Sequence, residues 1–246
     1  MRSYGQFCPV AKAAELFCER WTALIIRDLA LGATRFAELQ RGVPLASPTI
    51  LARRLAQLAA EGVIERRREG SRWTYHLTPA GQELVPLVVA LGTWGQRWAR
   101  RELADHEVDL GLLLWAVERG AHPSAFGEGR SVVALCFPEQ PAHKRQWWFL
   151  NEHGRTELCV SAPGPEPVLY LSVTLRDMIL IWRGDLTIRR ALDEGRLEAH
   201  GTMAARRALP QWLGISPLAH VASARRADPP EPRAREADRS AAMATN

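Results

Sequence analysis

The chain has 246 residues, 47% of them apolar, enough for two compact domains with sizeable cores and a tail. Its formal charge of +5 is unevenly placed: up to Leu103, 15 Lys and Arg stand against 9 Asp and Glu, while the rest is near balance. Any contact with phosphates is therefore expected in the first part. No run approaches the roughly 18 consecutive apolar residues of a membrane span, and the first residues lack a signal-peptide core. Cys8, Cys18, Cys136 and Cys159 form neither a CxxC pair nor a Cys/His metal spacing, so the expectation is a reduced, cytoplasmic protein without metal or cofactor.

In chain order, Met1 to Phe7 reads as a short arm, and the apolar spacing from Pro9 to Leu31 predicts one or two helices closed by Gly32. Phe36, Leu39 and Val43 give the next helix its buried face, ending at Pro44. The helix after it is the best marked. Ser47 is a good N-cap and Pro48 sits where a missing N–H costs nothing. Leu51, Leu55 and Leu58 form one apolar stripe, and Gly62 ends the helix. At about 100° per residue, Thr49, Arg53 and Gln57 point away from the stripe, with Arg54 on its flank. A short helix backed by another, with hydrogen-bond donors on its outer face, is the form of a major-groove reader.

After Gly62 the period changes to two, so Val63 to Glu65 pairs with the alternation Trp73, Tyr75 and Leu77 around a Glu69-Gly70-Ser71 turn. Arg66, Arg67, Arg68 and Arg72 cluster at the tip of this hairpin. Directly after a reading helix, such a cluster suits a wing gripping the sugar-phosphate backbone. Thr78 then caps a helix from Pro79 to Arg101. Its Leu84, Leu87 or Val88, Leu91, Trp94 and Trp98 follow a near-3.5 spacing that suits a partner helix, and Pro86 predicts a kink. Leu84, Val88, Leu91, Trp94 and Trp98 are the dimerisation candidates.

The segments CPVAKAAELFCERWTALIIRDLALGATRFAELQRGVPLASPTILARRLAQLAAEGVIERR and YHLTPAGQELVPLVVALGTWGQRW resemble the HxlR-type winged-helix regulators over roughly residues 8 to 98. The resemblance implies a homodimer holding two winged helices on a pseudo-palindromic operator, joined by the first and last helices of the domain, and a repressor rather than an activator. The DNA-facing candidates are Arg35, Ser47, Pro48, Thr49, Arg53, Arg54, Gln57, Arg66, Arg67, Arg68 and Arg72. Thr49 stands where members of that family often carry a basic residue, so operator preference does not carry over. Some members resemble thiol sensors with a cysteine at the Cys8-Pro9 position, and a thiol beside a helix N-terminus gains thiolate character.

Beyond a polar stretch from Glu102 to His106, Val108 to Glu118 reads as a helix. Strands follow at Ser131 to Phe137, Lys144 to Leu150, Thr156 to Ser161 and Val168 to Val173, separated by Pro and Gly breakers. Leu175 to Trp182, Ile188 to Glu194 and Ala204 to Trp212 read as helices, with a short strand at Leu197 to Ala199. Strand runs followed by helix runs predict an α+β sheet with helices on one face. The stretch LYLSVTLRDMILIWRGDLTIRRALDEGRLEAHGTMAARRALPQWLG is similar to the C-terminal part of sterol-carrier-like, SCP2-type domains. The resemblance implies an apolar ligand cavity, for which Trp147, Phe149, Leu171, Met178, Ile181 and Trp182 are wall candidates; ordinary core packing accounts for the same residues. From Ala222 the composition predicts a disordered tail.

The expected organisation is thus a winged helix-turn-helix domain, mainly α with a β-hairpin wing, over residues 1–103, an α+β unit over 104–221 and a tail over 222–246. With no HExxH, GxSxG, P-loop or GxGxxG motif, an enzyme is not expected. The leading reading is a homodimeric regulator of double-stranded DNA, answering to an apolar effector in the second unit through the Pro79 to Arg101 helix. The alternatives are a thiol switch at Cys8 with a purely structural second unit, and a lipid-binding carrier.

Overall fold

The structure, a computed structural model, describes residues 3–224. Helices α1 (Pro9–Phe17) and α2 (Thr22–Ala30) are separated by a break at which Trp21 adopts a left-handed conformation, φ 78°. A non-glycine there is uncommon, and it resolves the single-or-double helix expectation in favour of two. Then come α3 (Phe36–Gly42), α4 (Pro48–Ala60), the hairpin of β1 (Ile64–Glu69) and β2 (Arg72–Leu77), and α5 (Pro79–Trp94). The head's core gathers Ile25 and Ile26 of α2, Leu39 of α3, Leu51, Leu55 and Leu58 of α4, and Val63 and Ile64. The stripe that defines α4 in sequence is thus the surface that holds the head together. This is a winged helix-turn-helix. The helix expected to run to Arg101 ends as an α-helix at Trp94 and continues as a π-helical turn, Gly95–Ala99.

The second unit begins with α6 (Leu110–Gly120), capped by Asp109, whose side chain accepts the Leu112 N–H at 2.7 Å. Its sheet combines β3 (Ser131–Cys136), β4 (Gln146–Glu152), β5 (Arg155–Cys159), β6 (Leu169–Val173) and β7 (Leu197–Gly201). Their spatial order is β5-β4-β3-β6-β7, with β3 and β6 parallel and the other pairs antiparallel. A short α7 (Ala142–Arg145) precedes β4, while α8 (Leu175–Arg183), α9 (Ile188–Asp193) and α10 (Met203–Trp212) follow β6 and β7. Residues Val132 to Leu135 of the central strand are all buried, as a parallel-paired strand covered on both faces requires. Trp212 packs edge-on to Phe149 at 5.7 Å, and its indole N–H donates to Asn151 Oδ1 at 3.0 Å. The buried Asn151 also accepts from the Thr156 hydroxyl and donates to Ser131, so its polar atoms are satisfied within the core.

Several contacts tie the units together, among them Arg100 with Asp185 and Arg183 with the Arg101 carbonyl at 2.9 Å. α6 lies against α3: Trp115 meets Gly42, Arg41 bonds Glu118 at 2.7 Å, and Arg119 donates to the Leu31 carbonyl. The chain after α10 returns past α8, where the Ser216 N–H donates to the Trp182 carbonyl at 2.9 Å, and lays Leu218 on Gly92 of α5. Of the stretch read as a tail, Ala222–Ala224 belong to this return, with the Ala224 N–H on the Arg97 carbonyl at 2.9 Å; the remainder lies outside the described residues.

Candidate nucleic-acid interface

The Ile50 N–H donates to Ser47 Oγ at 3.3 Å, so the cap read from sequence starts α4. With Leu51, Leu55 and Leu58 turned inward, the outer face carries Pro48, Thr49, Ala52, Arg53 and Ala56, all exposed. Arg35, the residue before α3, is exposed at the same head, where Glu38 caps α3 by accepting the Thr34 and Arg35 N–H groups at 2.8 and 3.0 Å. Ala52 and Ala56 are small apolar additions that the search for donors passed over. Their spacing from Thr49 and Arg53 places them on the outer face, where a methyl side chain can meet a thymine methyl.

Two of the candidate readers need correction. Arg54 is only 7% exposed and its guanidinium bonds Glu19 at 2.8 Å, so it ties α4 to the α1–α2 corner instead of facing DNA. Its place on the flank of the stripe let helical periodicity point it either way; the carboxylate in reach decided. Gln57 is half-buried, with its Oε1 enclosed and without a hydrogen-bond partner among the described residues.

In the wing, the register Arg68↔Trp73 and Arg66↔Tyr75 puts Arg66, Arg68, Trp73 and Tyr75 on one face, with Arg67, Arg72, Thr74 and His76 on the other. Arg67 is bonded to Glu65 on its own face, which neutralises it. Arg66 lies 3.9 Å over the Trp73 ring and Arg68 Nε donates to the Gly70 carbonyl at 3.2 Å. Among the described residues, Arg35, Arg53, Arg66, Arg68 and Arg72 have no carboxylate partner, whereas Arg54 and Arg67 do. Exposed Trp73 is the feature the sequence reading missed as a surface: it braces the Arg66 guanidinium, a pairing that needs the hairpin register to be seen.

The dimerisation candidates divide likewise. Leu84 and Val88 pack partly against the head's own core. Leu91, Trp94 and Trp98 are exposed, and Leu87 completes their stripe at i, i+4, i+7 and i+11. The alternative between Leu87 and Val88 falls to Leu87. No residue of α1 is buried; its Val10 and the preceding Phe7 are exposed. Cys8, the residue before α1, is half-buried, and all four cysteines are free.

In the second unit, Phe149, Leu171, Met178 and Ile181 are fully packed in the core, and Trp147 and Trp182 lean on it. None of the six lines either of two open pockets, one of about 760 Å³ at the start of α6 and α8, the other of about 550 Å³ along β7. Their apolar pattern is accounted for by core packing.

At the junction, Asp28 of α2 is wholly buried beneath Gly42. Arg27 Nε donates to it at 2.7 Å, and Arg27 Nη2 reaches both Asp28 Oδ2 and the Gly42 carbonyl at 3.2 Å. Burial pushes the Asp28 carboxyl above its ordinary range, against the pull of Arg27 and then of Arg119 from α6.

The family model for HxlR-like helix-turn-helix proteins matches residues 16–103. The HTH-type transcriptional regulator YvaP of Bacillus subtilis is 34% identical over 105 residues, which span 41% of this chain and 97% of that protein. The chain belongs to the HxlR-like helix-turn-helix family. Members of this family are DNA-binding transcriptional regulators, not enzymes. The HTH-type transcriptional regulator Rv3095 of Mycobacterium tuberculosis is 38% identical over 95 residues, 37% of this chain and 60% of that protein. Among solved structures, diamide-treated YodB from B. subtilis is 31% identical, with a TM-score of 0.32, covering 37% of this chain and 93% of that chain. The family match, residues 16–103, falls on the head.

Proposed function

We propose that the chain works as a homodimeric repressor that sets two α4 helices into successive major-groove half-sites of a pseudo-palindromic operator. The observation that carries this reading is the outer face of α4, where Thr49 and Arg53 have no side-chain partner among the described residues, beside a wing with three guanidinium groups that no described carboxylate opposes. Arg53 and Thr49 read base edges, and Arg66, Arg68 and Arg72 hold the backbone. The exposed stripe of Leu87, Leu91, Trp94 and Trp98, together with the unburied α1, is the surface a second copy covers. The second unit, read as sterol-carrier-like from the resemblance of its later sequence, steadies α3 through Trp115 and Glu118 and the end of α2 through Arg119. An effector bound there would act on the head through α6 as well as through α5, by favouring one placement of the head over another.

The test measures binding to specific and random duplexes as salt is varied. Affinity should fall with a log–log slope of about 0.9 per neutralised phosphate. Arg53→Ala should cost about 1–3 kcal/mol of discrimination between the two duplexes, whereas Arg68→Ala should weaken both equally. If Arg53→Ala left discrimination intact, α4's outer face would not be the reading surface.

A further inference from the structure

The five-stranded sheet has two edges, treated differently. On the β5 edge, the Leu158 N–H donates to the Glu118 carboxylate of α6 at 3.0 Å, so a helix closes that side. On the β7 edge, no described hydrogen bond reaches the backbone of Leu197–Gly201 apart from its ladder with β6. The groove of about 550 Å³ follows this strand, and it is lined by Leu197 and Ala199 from one face together with Glu198 and His200 from the other. Side chains of alternate faces meet in one groove only where it runs along the strand's edge. The groove therefore follows the open hydrogen-bonding side of the sheet.

Its other walls are chemically lopsided. Leu192 of α9 and Met203 of α10 offer exposed apolar surface, Met203 being 57% exposed. Arg206 and Arg207 of α10 are exposed and have no carboxylate partner among the described residues. Neighbouring cations are satisfied: Arg190 by Glu194 at 2.6 Å, and Arg196 by Asp177 and Glu194. The one acid lining the groove, Glu198, lies 3.6 Å from His200 on its own strand.

We propose that the β7 edge is a docking site for an extended acidic peptide segment of another protein, added as a sixth strand with apolar side chains at alternate positions. The backbone supplies hydrogen bonds, Leu192 and Met203 take the apolar side chains, and Arg206 and Arg207 take the carboxylates. A second copy of this chain fits the edge less well, because pairing two β7 strands adds two more unopposed guanidinium groups for each Glu198 brought in. The site is independent of the DNA reading of α4, and its partner would be recruited by the regulator instead of being read by it.

The probe is the peptide EVEVEVE-amide, labelled with fluorescein through an aminohexanoyl spacer on its N-terminus, titrated with the full chain at low salt and followed by anisotropy. Saturable binding is expected, with little or none for KVKVKVK or for EVEPEVE, whose proline removes a ladder donor. The double variant Arg206→Glu/Arg207→Glu should weaken binding about tenfold or more, and Met203→Asp should weaken it separately, each with an unchanged unfolding temperature. No saturable binding of EVEVEVE overturns the proposal. So does binding of EVEPEVE equal to that of EVEVEVE, which is charge attraction without strand addition. A change in the free chain's sedimentation on the double variant also overturns it, in favour of an interface between copies.

Discussion

The head and the sheet unit solve burial in opposite ways. Among the described residues, thirteen large apolar side chains are exposed before residue 100, against six after it, although the head is the smaller part. The sheet unit encloses its apolar residues around β3, Phe149 and Trp212 and satisfies its buried Asn151 internally. The head spends its apolar pattern on a core of α2, α3 and α4 and leaves α1 and much of α5 bare. A surface of that kind asks for a partner, whereas a closed sandwich does not. On the proposed reading, the difference separates a head whose bare surface a second copy covers from a unit whose core is closed within the chain.

The sharpest way to break this comparison is to open the closed core. Trp212→Ala removes the side chain that joins α10 to β4 and takes one of its hydrogen bonds from Asn151, and should cost about 3–5 kcal/mol. Chemical unfolding followed by far-UV circular dichroism should then resolve an early transition of the sheet unit ahead of the head. A single transition with an unchanged midpoint would mean that the sheet core does not stand on its own packing. Trp94→Asp places a charge in the bare stripe. If that stripe is the dimer's centre, the variant should weaken association by about 2–4 kcal/mol, as loss of an interface anchor does, and sediment as a monomer that still unfolds cooperatively. A dimer unaffected by Trp94→Asp would remove α5 from the interface.

Gly42→Ala probes where the two units meet. A Cβ there would overlap the Asp28 carboxylate and press on Trp115, so about 1–3 kcal/mol of stability should be lost by overpacking. DNA binding should suffer as well, since α3 carries the reading helix; stability and binding both unchanged would show that the junction gives way freely. The smallest effect is a dependence on pH. Because burial raises the Asp28 carboxyl above 3.8, its contribution to stability is present below that pH and is lost as pH rises through its higher folded value. The stability of the natural chain relative to Asp28→Asn, measured by urea unfolding from pH 3.8 upward, should therefore fall. A relative gain with rising pH would reverse the assigned cause.

How much of this was legible in the sequence depended on whether the determinant was local. Ser47, Pro48 and the Leu51–Leu55–Leu58 stripe define α4 within a dozen residues, and the structure agrees. Most strands and helices of the second unit were legible because Pro and Gly mark their ends, but Lys144 and Arg145, read as the start of a strand, belong to α7. Arg54 could not be placed, since its fate rests on Glu19, 35 positions earlier. Leu87 and Val88 are adjacent, and only the packing of Val88 on the head's core separates them. The support of α3 by α6 was invisible because Gly42 and Trp115 carry no shared pattern. The proposed ligand wall failed for a different reason: Phe149, Leu171, Met178 and Ile181 have the composition of a pocket and of a core alike, and they pack as a core.

The most direct test of the central claim is selection of duplexes from a random pool by the full chain, followed by the same selection with Arg53→Ala. The account predicts enrichment of inverted repeats with half-site centres about 34 Å apart or a multiple of that spacing, and loss of preference at specific base pairs with Arg53→Ala. Enrichment of asymmetric single sites, or the same inverted repeat from both proteins, would contradict it.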